Sequence, residues 1–246
     1  MFSYSDYCQI IDALQKSGKY MSFHKAADAP DFALMRHDVE FSVDRALALA
    51  ELEHENGFAS CYLFQVSNNA YNILSKKNMD AVKHIASLGH EVGLHFHMNA
   101  LTDVDQIRSE IAKEAEILSM KSGIDIRLFS IHRPSKEILR EGVRVPGLLN
   151  TYDPSFFSFV ENIDTEETEI KYMSDARHRW NYGLIPNDST INGNRKVQIL
   201  THPYSWTQTG FGNLDNFKSL ISEKNQELVD TIDGECKHFR EIKDAL

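Results

Sequence analysis

Short apolar runs that end on ionisable side chains recur along this chain. FALMRHDVE passes from Phe32 to Met35 into Arg36, His37, Asp38 and Glu40. Glu91 to Phe96 carries His95 and is followed by His97; Leu128 to Ile131 leads into His132 and Arg133; Val197 to Thr201 leads into His202. Each run is short and apolar enough to be a strand buried on both faces. Helical periodicity fills the intervals. Ser42 is placed to cap a helix with Ala46, Leu49, Ala50 and Leu52 on one face and Gly57 at its end. After the strand SCYLFQV, a second helix starts at Asn78 with Met79, Val82, Ile85 and Ala86 in its stripe, stopped by Gly89. A third, from about Asp103 to Ser122, carries Ile107, Ile111, Ala115 and Leu118, and Gly123 ends it.

Strands alternating with helices predict an α/β fold with a mostly parallel sheet. In such folds, catalytic groups come from the carboxyl ends of several strands, where these ionisable clusters lie. The second half is less regular. Residues 140–195 hold Pro146, Pro154, Pro186 and the acidic run Glu166, Glu167 and Glu169, a composition of short strands and long loops; IKYM, ending on Ser174 and Asp175, is the best strand there. The tail, residues 214–246, predicts one or two amphipathic helices with a break at Gly234. With 246 residues and 42% hydrophobic content, one α/β barrel domain over residues 1–246 accounts for the whole chain.

Charge narrows the partners. The formal net charge is −10 and no basic patch stands out, which argues against nucleic-acid binding. The first residues lack a basic start followed by a long apolar stretch, so neither a secretory signal nor a membrane span is expected, and the compartment expected is the cytoplasm. Cys8, Cys61 and Cys236 are widely spaced and odd in number, which fits reduced thiols.

In an extended segment, side chains at i and i+2 share a face, so His95 and His97 project together, as do Asp38 and Glu40. Two such pairs on neighbouring strand ends could surround a metal ion. Imidazole and carboxylate suit zinc and other divalent transition metals. An isolated HxH is more often a pair of hydrogen-bonded structural residues; the carboxylates and further histidines ending other strands favour the ligand reading here.

Taken in order, RHDVE, GHEVGLHFH, HRP, SDARHRW and THPYSW resemble the motifs of the polysaccharide deacetylase superfamily, the NodB-homology or carbohydrate esterase family 4 fold. They are most similar to a cytoplasmic branch associated with surface-polysaccharide biosynthesis, with HDVD, GLH, HRP and HP-aromatic motifs. The resemblance covers about Phe32 to Trp206, with the helices of residues 214–246 beyond it. It implies a distorted (β/α) barrel and a hydrolase that removes an N-acyl group, acetyl or formyl, from a nucleotide- or lipid-linked amino sugar for a capsule or O-antigen. By resemblance Asp38 is the general base, Arg133 holds that base ionised, His202 is the general acid and Asp175 orients it. Glu40 and His95 match metal-ligand positions, with His97 as a further ligand; zinc is the first expectation, and cobalt, nickel, iron or manganese the alternatives. His132, Trp180 and Trp206 are placed against the substrate. The chain departs from the family pattern in several places, and Glu40 itself stands where the branch usually has an aspartate. Val39 separates the two acidic residues of the first motif, Asn99 stands where a second histidine is usual, and Ser135 and Lys136 follow Pro134 where a tyrosine is usual. A metal-independent amidohydrolase and a catalytically silent carbohydrate-binding barrel are therefore alternative readings.

Overall fold

The computed structural model describes residues 1–159, 168–180 and 185–243, so the acidic residues Glu166 and Glu167 lie outside the described residues. The chain begins with helices α1 (Tyr4–Ser17) and α2 (Phe23–Ala26), which no sequence pattern above predicts. Then β1 (Phe32–Val39), α3 (Val43–Glu55), β2 (Cys61–Phe64), α4 (Lys76–Ser87), β3 (Glu91–His97), α5 (Val104–Ser122) and β4 (Leu128–His132) alternate without interruption. The second half supplies α6 (Lys136–Glu141), β5 (Leu149–Asn150), β6 (Ile170–Ser174), α7 (Asp188–Asn192), β7 (Lys196–Thr201), α8 (Asn213–Glu235) and α9 (Lys237–Ile242).

Local chemistry sets these boundaries. The Ser42 and Asp103 side chains accept from the amides of Arg45 and Gln106, capping α3 and α5. Helix α4 starts two residues earlier than Asn78 because Ser75 is its cap, accepting from the Asn78 amide. Gly123 ends α5 at φ 73°, a left-handed conformation in which a glycine has no Cβ to clash. Helix α8 runs through Gly234 and breaks at Cys236 instead.

Among the described residues the seven strands are all parallel, in the order β5-β4-β3-β2-β1-β7-β6. The sheet curls. Arg36 of the central strand β1 hydrogen-bonds Thr151, just past the edge strand β5, and Gln198 of β7 donates to the carbonyls of Thr151 and Phe156 at 2.9 and 2.8 Å. Residues 151–157 thus bridge the two sides of the curl, and among the described residues β5 and β6 do not pair.

Pleating sorts each strand between two environments. On the concave side Phe32, Leu34, Leu63, Leu128, Phe156 and Ile170 pack with Phe23 as an apolar plug at the amino ends of the strands. Above the plug the same face of β1 turns polar through Arg36 and Asp38 to Glu40. On the convex side the strands pack against the helices, with Phe64, Leu94, Phe96 and Ile131 in one cluster and Met35, Val197 and Ile199 in another.

Gly93 on the concave side leaves room for this curvature. A Cβ there would stand 2.5 Å from the Leu128 carbonyl oxygen of the neighbouring strand and would also collide with Leu63 Cδ2. Gly93→Ala is expected to destabilise the fold by about 1–3 kcal/mol through overpacking, read as a lower urea midpoint at unchanged slope.

A buried polar network centred on one carboxylate interrupts the convex apolar layer. Glu53 of α3 is fully buried. Its carboxylate accepts from the hydroxyls of Tyr7, Ser60 and Tyr62 at 2.5, 2.6 and 2.8 Å and lies 3.1 Å from His37 Nε2. His37 Nδ1 pairs with Thr201 Oγ1 at 2.6 Å, so the network ties β1 to β7 directly behind Asp38 and His202.

Candidate active site

The carboxyl ends of β1, β3, β4 and β7 converge on one cavity of about 970 Å³, among whose walls are Asp38, Glu40, His95, His132, Arg133 and His202. His95 is the pivot. Its Nδ1 sits 2.6 Å from Ser130 Oγ and 3.5 Å from Asp38 Oδ2, while its Nε2 faces His132 Nδ1 at 3.1 Å. Ser130 in turn donates to Asp38 Oδ1 at 3.2 Å. A proton on Nδ1 directed at these acceptors leaves the Nε2 lone pair turned toward Glu40 and His132, the arrangement by which proteins orient a metal-ligating histidine.

Glu40 Oε1, His95 Nε2 and His132 Nδ1 lie within 4.8 Å of one another, a grouping of donors that could hold a metal ion. Their separations are 3.0 Å for Glu40 to His132, 3.1 Å between the histidines and 3.8 Å for Glu40 to His95. Tetrahedral ligands at ordinary zinc bond lengths stand about 3.3 Å apart. Two imidazoles and a carboxylate at this spacing fit a divalent transition metal and leave a further position for water or substrate.

Of the residues expected as ligands, Glu40 and His95 are in this group and His97 is not. In the sheet register His97 stands opposite His132, and the two rings stack at 5.0 Å between centroids. The Asn99 amide donates to His97 Nδ1 at 3.1 Å. His132, expected against the substrate, fills the third donor position instead.

The guanidinium beside Asp38 is that of Arg36, with Nη2 3.4 Å from Oδ2, and not that of Arg133. Arg36 and Asp38 share the inner face of β1, whereas Arg133 is exposed on the cavity wall at φ 49°. Arg36 also lies over the Tyr152 ring at 4.4 Å. Burial alone would raise the Asp38 pKa, but Arg36, followed by His95 and His202, outweighs it and keeps the carboxyl below its usual range. Asp38 is therefore a carboxylate at neutral pH, buried but on the cavity wall.

Across the cavity His202 and Asp175 form a tight pair. Asp175 Oδ1 is 2.6 Å from His202 Nδ1, and the carboxylate also accepts from the His202 amide and from Trp206 Nε1 at 2.9 Å. His202 Nε2 points back to Glu40 Oε1 at 3.6 Å. Burial opposes charge on this imidazole, yet Glu40 and Asp175 together raise its pKa to about 9. Glu40 shows the reciprocal effect: burial raises its pKa, but His202, His132 and His95 hold it well below the usual carboxylate range.

A histidine raised from 6.5 to about 9 adds stability fully present below pH 6.5 and lost as pH rises through about 9. Urea unfolding of the chelator-treated protein is expected to show this alkaline loss, and His202→Gln is expected to flatten it.

The two tryptophans expected at the substrate are elsewhere. Trp206 is buried among Phe2, Tyr7 and other core residues, and its link to the site is the bond from its Nε1 to Asp175. Trp180 packs near Trp206, with ring centroids 6.2 Å apart. The aromatic walls of the cavity are Phe41, Tyr152, Phe157, Tyr172, Tyr204 and Phe217.

No protein-family model matches the chain, and no curated protein sequence matches it. Several solved structures are similar at low identity. Streptococcus pyogenes deacetylase PplD in complex with acetate aligns at TM-score 0.42 and 10% identity over 52% of this chain and 61% of that one, so the match spans about three-fifths of PplD. A family 4 carbohydrate esterase from Streptomyces lividans in complex with acetate gives 0.41 and 17%, covering 79% of this chain and 89% of that one. The wild-type CE4 family pseudoenzyme BA3943 from Bacillus anthracis gives 0.41 and 12%, covering 89% and 76%. At these scores the similarity carries no argument about activity, and one of the three is a pseudoenzyme.

Proposed function

We propose that this protein is a metal-dependent hydrolase that cleaves the N-acyl amide of an amino sugar, releasing acetate or formate and the free amine. The observation that carries the reading is a three-donor group, Glu40, His95 and His132, set in one cavity between a buried carboxylate and a histidine–carboxylate pair. Glu40, His95 and His132 would hold the ion, zinc in the first instance. A divalent ion so bound supplies Lewis acidity for an acyl oxygen and lowers the pKa of a water.

The protein's own groups supply the proton transfers. Asp38, kept ionised by Arg36, takes the proton of the water whose oxygen attacks the acyl carbon. His202 gives a proton through Nε2 to the departing nitrogen as the C–N bond breaks, so the amine leaves neutral. Asp175 binds Nδ1 of the same ring and fixes which nitrogen faces the cavity. Ser130 and Asp38 hold His95 in the orientation that presents Nε2 to the donor group.

The motif order supports a nucleotide- or lipid-linked amino sugar of surface-polysaccharide biosynthesis as the substrate. Among the described residues no helix is long and apolar enough to cross a membrane. The test is release of acetate and free amine from UDP-N-acetylglucosamine and from N-acetylated chitooligosaccharides by protein loaded with zinc or cobalt. Equal amounts of the two products support the reading; a metal-loaded protein that releases neither from any N-acyl amino sugar overturns it.

A further inference from the structure

With Arg36 holding Asp38, the Arg133 guanidinium is left on the cavity wall, and Arg177 lines the same cavity. Both side chains are exposed, and among the described residues neither guanidinium has an ion-pair partner. They follow β4 and β6, which lie toward opposite edges of the sheet, with Tyr152, Phe157 and Tyr172 also lining the cavity.

Each guanidinium is presented from an unusual backbone. Arg133 has φ 49°, and Arg177 and His178 have φ 65° and 55°, left-handed conformations that non-glycine residues seldom hold and that cluster at functional sites. The turn carrying Arg177 is fastened down. Asn213 Nδ2 donates to the Arg177 carbonyl at 3.2 Å, His178 Nε2 lies 2.8 Å from the Phe211 carbonyl oxygen, and the Phe2 ring stacks on His178 at 4.1 Å. Asn213 is the first residue of α8, and with Phe217 it brings the start of that helix to the cavity. The helix start has no side-chain cap, and Asp215, the acidic residue of its first turn, stands 3.6 Å from Lys218. Uncapped amides at a helix start favour an anion. The carboxylates of the cavity are engaged elsewhere, Asp38 with Arg36 and Glu40 with His132 and His202. Two guanidiniums beside an open helix start match a dianion, and their planar forks match phosphate oxygens.

We propose that Arg133 and Arg177 bind a phosphate group esterified to the amino sugar, so that the substrate is a sugar phosphate ester and not a neutral saccharide. The proposal rests on the amino-sugar reading above and adds the group by which the carrier is held. A cavity of about 970 Å³ is at the large end of ligand cavities and has room for both parts. The test is calorimetric titration of the zinc-loaded protein carrying Asp38→Asn, so that the sugars are bound and not consumed. The ligands are N-acetylglucosamine, its 1-phosphate, UDP-N-acetylglucosamine and the farnesyl diphosphate ester of the same sugar. The phosphate-bearing sugars are expected to bind at least about tenfold tighter than the free sugar. That preference is expected to shrink as salt is raised and to fall toward one in the Arg133→Gln, Arg177→Gln double variant. Tighter binding of the uridine or of the farnesyl ester then tells a nucleotide carrier from a lipid one. Equal affinity for the free and phosphorylated sugars, or a preference kept in the double variant, as a phosphate held by the zinc would give, overturns the anion site and leaves the amino-sugar reading standing. Binding of none of the four overturns both.

Discussion

Glu53→Ala is expected to lower the free energy of unfolding by about 3–5 kcal/mol, the range for removing one partner from a buried charged network. The carboxylate collects the Tyr7, Ser60 and Tyr62 hydroxyls and sits against His37, with no access to water. Truncation removes the acceptor of the Ser60 and Tyr62 hydroxyls and leaves Tyr7 and His37 only each other at 3.3 Å across the cavity it opens, and each group that loses its partner adds its own desolvation cost. Burial alone would raise the Glu53 pKa, but His37, His90 and Ser60 together outweigh it and hold it below the ordinary carboxylate range, so the native state favours the ionised form. Urea unfolding at neutral pH checks the size of the effect. A loss under about 1 kcal/mol would mean that water or the chain readily replaces the carboxylate.

Asp38→Asn is expected to reduce turnover by roughly 10²–10⁴-fold, the usual contribution of a general base, while the protein stays folded. The amide preserves the shape and an acceptor for Ser130 but cannot take a proton from water. It also removes the negative charge beside Arg36, so some loss of stability is expected to accompany the loss of rate. Steady-state rates of acetate release, with unfolding measured in parallel, separate the two. Undiminished turnover in a folded variant would remove Asp38 from the role of base.

The first half of the fold is plain in the sequence because β1 to β4 are short apolar runs buried on both faces, separated by capped helices. Strand β5 has only two residues, too few for any periodicity. At the site, alternation was the useful signal. Asp38 and Glu40 share a face, and the same rule places Arg36 two residues before Asp38, on that face. The motif resemblance gives the arginine's role to Arg133, whereas the pleat of β1 gives it to Arg36.

His97 shows the limit of the i, i+2 rule. It identifies a face but not which neighbour from the adjacent strand occupies the space, and here that neighbour is His132. Glu53 was hidden differently. The buried face of α3 follows Ala46, Leu49, Ala50 and Glu53 at i, i+3, i+4 and i+7, so a carboxylate stands where an apolar residue is normal. Nothing local reveals that its partners come from α1, β1 and β2. Trp206 is legible as an aromatic close to His202, but its indole faces the core because α1, which the sequence pattern did not reveal, packs over it.

Equilibrium zinc titration of the wild type, His132→Ala and His97→Ala tests the donor assignment most directly. One ion is expected to bind the wild type. Structural zinc sites with four ligands are worth about 10–16 kcal/mol, roughly 3 per ligand, so His132→Ala is expected to weaken binding about a hundredfold or more and His97→Ala by only a few fold. Retention of the metal in His132→Ala with loss in His97→Ala, or a wild type that binds none, would contradict the assignment of Glu40, His95 and His132 as the metal-binding group.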